Sequence, residues 1–210
     1  SLLNFRNNYA ARSISVWFER INTICAALEH ARQAIQFDHY LIKMNQRSLE
    51  MNLSFTIDPL VIPISQVGHA MTVVRCGNLL AICDRAAETE LMDAIPIYYM
   101  NKPYKLTAEL VENLMFQKHE IKSVHHLLKH ELATRLIAKL PMPDQVIGNC
   151  SWANVEAVIP ALKFMLALND PTNTASEDDK LADSLEWYYR WHDWESQRTL
   201  QFIMQEFKEA

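Results

Sequence analysis

The chain predicts an α+β fold, a small antiparallel sheet packed by helices with additional helices at both ends, and three observations predict it. Helical spacing runs through the first fifty residues, where Ile14, Phe18, Ile21, Cys25 and Leu28 fall at steps of four, three, four and three. Short strand-like runs broken by turn residues follow, from Leu53 to Met100. Mostly apolar helical sequence then fills the remainder, ending in an aromatic-rich helix. Half of the 210 residues are apolar, enough for one substantial core, so residues 1–210 are expected to form a single domain. Within it, 1–52 reads as N-terminal helices, 53–168 as the core and 169–210 as a C-terminal helix.

The first helical stretch spans about Tyr9 to Met51, with a second apolar set at Ile35, Tyr40, Leu41 and Met44 and a break near Asn45-Gln46-Arg47-Ser48. Its stripe calls for core packing rather than chemistry. Leu53–Ile57 and Leu60–Ile64 read as short strands, and Pro59 and Pro63 mark them as edge or bent strands. Gly68 to Arg75 is a cleaner strand, Cys76-Gly77-Asn78 its turn and Leu79 to Arg85 its hairpin partner. Ala94 to Met100 continues the sheet. Thr107 caps a new helix, and helical sequence is expected as far as Leu140, making 105–140 a helical insertion. After Pro141 and Pro143 comes a loop, then an apolar helix from Ser151 that Pro160 should kink or split. Ser176-Glu177-Asp178-Asp179 resembles a capping box opening the last helix, whose Trp187 to Trp194 cluster is read as finishing the core.

A net charge of −5 gives no basic field for nucleic acid, and no stretch approaches the roughly 18 apolar residues of a membrane span. The chain begins at Ser1 without Met or a signal-peptide shape and is expected to be a fragment of something longer. Four cysteines without Cys-x-x-Cys spacing fit a reducing compartment, with Cys76 and Cys83 as small buried hydrophobes. His126 and His130 are helical neighbours, but Leu127 stands where a zinc-protease motif has its Glu and no third ligand is evident. A polar helix face accounts for them, and no metal or cofactor is expected.

The chemistry-bearing stretch is Pro143 to Asn154. Cys150 follows a Gly148-Asn149 turn and opens a helix, where the unpaired N–H groups of the first turn favour a thiolate. The chain has only three glycines, Gly68, Gly77 and Gly148, and each flanks a residue that such a nucleophile would need. Gly68 precedes His69, Gly77 turns the hairpin between His69 and Asp84, and Gly148 precedes Cys150. A hairpin centred on Gly77, pairing residues that sum to about 154, sets Asp84 level with Ala70 and beside His69. The set then reads as a cysteine hydrolase: Cys150 the nucleophile, His69 the general base and acid, Asp84 its orienting partner. Gln145 would give a side-chain N–H to the oxyanion beside the backbone N–H of Cys150. Asn78, Glu88 and Asp93 are rival orienting residues.

His on a strand start, an acid at the end of the next strand, and Gln shortly before a Cys that opens a helix resemble the clan CE cysteine proteases. That clan holds the ubiquitin-like proteases, the adenovirus-type proteases and the YopJ-type effectors. Gly68-His69-Ala70, Cys83-Asp84-Arg85 and Gln145 through Asn154 look most like the cysteine-protease-like domains of intracellular bacterial effectors, some ankyrin-linked, as in Legionella. The resemblance covers about Leu53 to Leu168. Many clan members have Trp where this chain has Ala70, and the long segment between Asp84 and Cys150 departs from the pattern. The resemblance implies a papain-like protease fold, secretion by a bacterium into the host cytoplasm as a virulence factor, and a peptidase or isopeptidase. It also implies a host protein as partner, with ubiquitin or a ubiquitin-like modifier favoured, and leaves room for flanking ankyrin repeats. The same residues serve YopJ-type acyl transfer, or persist in a silent scaffold that binds a host protein.

Overall fold

The computed structural model describes residues 18, 20–41, 57–66, 69–85, 94–116, 121–142 and 150–209, with the side chains of 34–41, 66, 121–122, 150–152, 202–203 and 205–209 outside the described set. The elements run α1 (Ile21–Leu41), β1 (Leu60–Gln66), β2 (His69–Cys76), β3 (Leu79–Cys83), β4 (Ala94–Met100), α2 (Ala108–Phe116), α3 (Ile121–Glu131), β5 (Thr134–Pro141), α4 (Cys150–Leu168) and α5 (Glu177–Glu209). All five strands pair antiparallel in chain order, β1 to β5, and helices pack on both faces of the sheet. This is the predicted α+β class, consistent with a small protease-like fold.

Strand periodicity of two divides the sheet between two cores. Val74, Cys76, Leu79, Ala81, Cys83, Ile95 and Ile97 bury against one helical layer, formed with residues of α1, α4 and α5. Ile62, Ile64, Met71, Val73, Leu80, Ile82 and Met100 bury against the other, formed with α2 and α3. Pro63 sits in β1, an edge strand, as its missing N–H requires. Pro96 lies in β4 beyond its ladder to β3, which ends at Ala81↔Ile97. The helix caps are as read. The Leu110 N–H donates to Thr107 Oγ1 (3.2 Å), and the Asp179 N–H donates to Ser176 Oγ (3.1 Å) while that hydroxyl donates to the Asp179 carboxylate (2.7 Å). Trp187, Tyr188 and Trp191 are buried, so the aromatic cluster finishes a core.

The structure corrects several expectations. Residues 134–141 are β5 rather than the end of a helical insertion: Ala133 at φ 46° terminates the helical region, and the segment pairs with β4 from Ala94↔Pro141 to Met100↔Thr134. Good helix formers there yield to an open strand edge. Helix α1 starts at Ile21, after Arg20 at φ 63°, and the remainder of the expected helical stretch, 9–17 and 42–51, lies outside the described residues. Pro160 does not split α4, which runs unbroken from Cys150 to Leu168. Leu79 to Arg85 shortens to a strand ending at Cys83. The strand expected at 53–57 lies outside the described residues except Ile57, which is not in a strand.

The β2–β3 turn is Gly77-Asn78, with φ positive at Gly77 (55°) and not at Asn78, the pattern of a type II′ hairpin. Asp58 accepts from the Gly77 N–H (2.9 Å), and a Cβ at Gly77 would lie 3.1 Å from Asn169 Nδ2. Gly77→Ala is therefore expected to destabilise the fold by about 1–2 kcal/mol. Urea denaturation checks this, and an unchanged midpoint would mean that the turn relaxes freely.

Candidate functional site

The hairpin register determines which side chains meet at the end of the sheet away from Gly77. Cys76 pairs with Leu79 and Thr72 with Cys83, so partners sum to 155, one more than expected. The level of Asp84 is thus Met71 rather than Ala70. That one-residue difference is decisive, because it puts the direction of Asp84 on the same face as Met71 and His69, whereas a level at Ala70 would have opposed them. His69 is then a diagonal neighbour of Asp84 across the ladder.

Asp84 is buried, at 2% exposure, and its carboxylate is shared. His69 Nε2 lies 2.8 Å from Oδ1, and His125 Nε2, from α3, lies 2.9 Å from Oδ2. Burial pushes the Asp84 carboxyl up, but the hydrogen bonds from His125 and His69 and their nearby charge outweigh it and hold the group well below the usual carboxylate range. An ionised carboxylate only accepts, so both imidazoles donate from Nε2. A neutral His69 then has its lone pair on Nδ1, the nitrogen suited to take a proton from a thiol.

Helix α4 lies along β2. Asn154, buried at 1% exposure, donates from Nδ2 to the Ala70 carbonyl (2.6 Å) and accepts from the Arg85 N–H on Oδ1 (2.8 Å). At the far end Asn169 Nδ2 donates to the Cys76 carbonyl (2.9 Å). The distances agree: the helix from Asn154 to Asn169 rises about 22 Å, and the strand from Ala70 to Cys76 spans about 20 Å. So the helix and strand run in the same direction, and the first turn of α4, which Cys150 begins, lies at the His69 end. The positive end of the helix dipole lies there too.

His69 and Asp84 are brought together, and Cys150 heads α4, its side chain outside the described set. Gln145 lies outside the described residues, as do the rivals Glu88 and Asp93. Asn78 is at the opposite end of the hairpin, donating to the Tyr99 hydroxyl (3.3 Å), and so cannot orient His69. Sequence reasoning missed two residues. His125 carries no motif of its own, although it lies next to Val124 in a helix whose Val124, Leu128 and following Leu132 are buried. Asn154 gave a signal, an amide among the buried Ala153, Ala157 and Val158. Cys25, Cys76 and Cys83 are buried and form no disulfide among the described residues. Burial pushes Cys76 up to about 11, and burial with the Asp84 charge pushes Cys83 up further. Neither Cys76 nor Cys83 offers a thiolate at neutral pH.

The folded Asp84 carboxyl titrates below its unfolded value, so its stabilisation is complete above the ordinary carboxylate range near ~4 and disappears as pH falls through and below it. Asp84→Asn should reduce stability at neutral pH and flatten the acid slope of unfolding free energy, measured by urea denaturation from about pH 6 to 2. Equal slopes in both proteins would show that another group causes the acid loss. Asn154→Ala should cost about 2–4 kcal/mol, because it strands a buried carbonyl and N–H. A change below about 0.5 kcal/mol would mean that neither bond anchors α4.

No family profile matches the chain, and no curated protein sequence matches it. Among solved structures, the Legionella effector AnkH is similar over 100% of this chain, with a TM-score of 0.79 and 26% sequence identity. The match covers 43% of that protein, so this chain spans less than half of its length. No helix among the described residues is long and apolar enough to cross a membrane. The chain has the fold of part of a bacterial effector.

Proposed function

We propose that the chain is a cysteine hydrolase, a peptidase or ubiquitin-like isopeptidase, in a bacterial effector that acts on a host protein. The observation that carries this reading is the Asn154 bridge. One amide joins the residues following His69 and Asp84 to the helix that Cys150 begins. Cys150 precedes Asn154 by about one turn of that helix.

In this reading His69 Nδ1 takes the Cys150 proton, and the thiolate attacks the scissile carbonyl. Charge on the tetrahedral oxygen is met by the backbone N–H of Cys150 and the side-chain N–H of Gln145. His69 returns the proton to the departing amine, leaving a thioester, and a water activated by the same imidazole hydrolyses it. Asp84 holds the imidazole in the required tautomer and stabilises it when charged. The likeness to AnkH supports secretion into a host cell and host-protein targets. It does not distinguish an active enzyme from a silent scaffold. Ala70 favours the scaffold as a second reading, since it supplies no aromatic shelf beside His69.

The test is labelling by ubiquitin and ubiquitin-like probes that carry a thiol-reactive C-terminus, with Cys150→Ala and His69→Ala as controls. Labelling of the parent alone is expected, with a loss of at least about a thousandfold in either variant. A Cys150 that alkylates no faster than an ordinary thiol, with a midpoint near ~8.5, would leave the scaffold.

A further inference from the structure

Asp84 faces two imidazoles from opposite sides of its carboxylate. Only His69 belongs to the hairpin; His125 comes from α3, on the helical layer across the sheet from α4. His125 is mostly buried, its side chain 16% exposed, against 9% for His69 and 0% for Asp84. The other histidines of α3 do not share this environment. His126 and His130 stack on each other at 6.0 Å between centroids on the exposed side. Arg85, next to Asp84, directs its guanidinium to the Ala153 carbonyl of α4 (3.4 Å). His125 thus contacts the Asp84 carboxylate, whose other oxygen meets His69.

A carboxylate can turn about its Cβ–Cγ bond, and a base is only as well oriented as the group that holds it. We propose that His125 is a positioning residue for the candidate base: by holding Oδ2 of Asp84, it keeps Oδ1 on His69 Nε2 and so leaves the lone pair of a neutral His69 on Nδ1. This rests on the hydrolase reading for its chemical purpose, though not for the coupling itself. His125 lies behind Asp84, so it acts through the carboxylate and not on substrate. No bond is made or broken at His125 and its proton stays on Nε2. A hydrogen bond to a charged group shifts an equilibrium by roughly tenfold to a hundredfold, which sets the scale of its loss.

Long-range 1H–15N spectra of the imidazoles read the tautomers directly. In Cys150→Ala protein, His69 and His125 should each carry the neutral-form proton on Nε2. His125→Ala should turn His69 into a mixture of tautomers, and His125→Gln, which retains an N–H donor, should restore the single form. In protein that retains Cys150, the iodoacetamide rate against pH should fall about tenfold or more near neutrality for His125→Ala and recover for His125→Gln. A folded His125→Ala with the parent's tautomer and alkylation profile overturns the proposal, as does a His125→Gln equally defective. Should the Ala variant fail to fold, the parent decides, because a His125 proton on Nδ1 excludes the contact and one on Nε2 supports it. A parent with coupled imidazoles and an inert Cys150 would remove the hydrolase reading and leave this one standing.

Discussion

A carboxylate buried to 2% exposure must be ionised and paired, or else protonated. Asp84 is ionised and paired, and much of the surrounding structure serves that condition. The β2–β3 register puts His69 on its face of the sheet, and α3 packs so that His125 reaches the other oxygen. Either imidazole alone would leave more of a desolvated charge to be met by weaker means. The carboxylate therefore links three elements that are separate in the chain and ties the helical layer of α2 and α3 to the sheet.

The opposite layer is secured differently, by neutral amides. Asn154 and Asn169 attach the two ends of α4 to the two ends of β2, with closely matching helix and strand lengths. Between these anchors the contact is apolar, from Ala157 and Val158 through Phe164 and Met165. Apolar packing is tolerant of small slides, whereas two hydrogen-bonded ends are not, so the first turn of α4 is fixed at the Ala70 end of β2.

Legibility in the sequence followed the range of the interactions. The hairpin is local, and Gly77-Asn78 between two apolar runs was enough to find it, along with His69 and Asp84 at its open end. The register came out one residue off because a two-residue turn sums to an odd number and centring on Gly77 alone does not. Thr107 and Ser176 announced their helices through caps that act within three residues. Thr134 to Pro141 was misread because Ala, Leu and Lys suit a helix locally, and only the distant edge of β4 makes the segment a strand. His125 was hidden for the same reason: a histidine on a helix acquires meaning from a carboxylate 41 residues away.

The separations in the chain give the site an order of assembly. His69 and Asp84 are 15 residues apart, while the Asn154 bond to Ala70 closes 84. Closing the longer loop costs more entropy, and contacts of that span form late in folding as a rule. The imidazole–carboxylate pair belongs to the first kind of contact and the docking of α4 to the second. A chain still being synthesised, or passing unfolded through a narrow channel, thus keeps Cys150 apart from the His69–Asp84 pair until α4 is seated on β2.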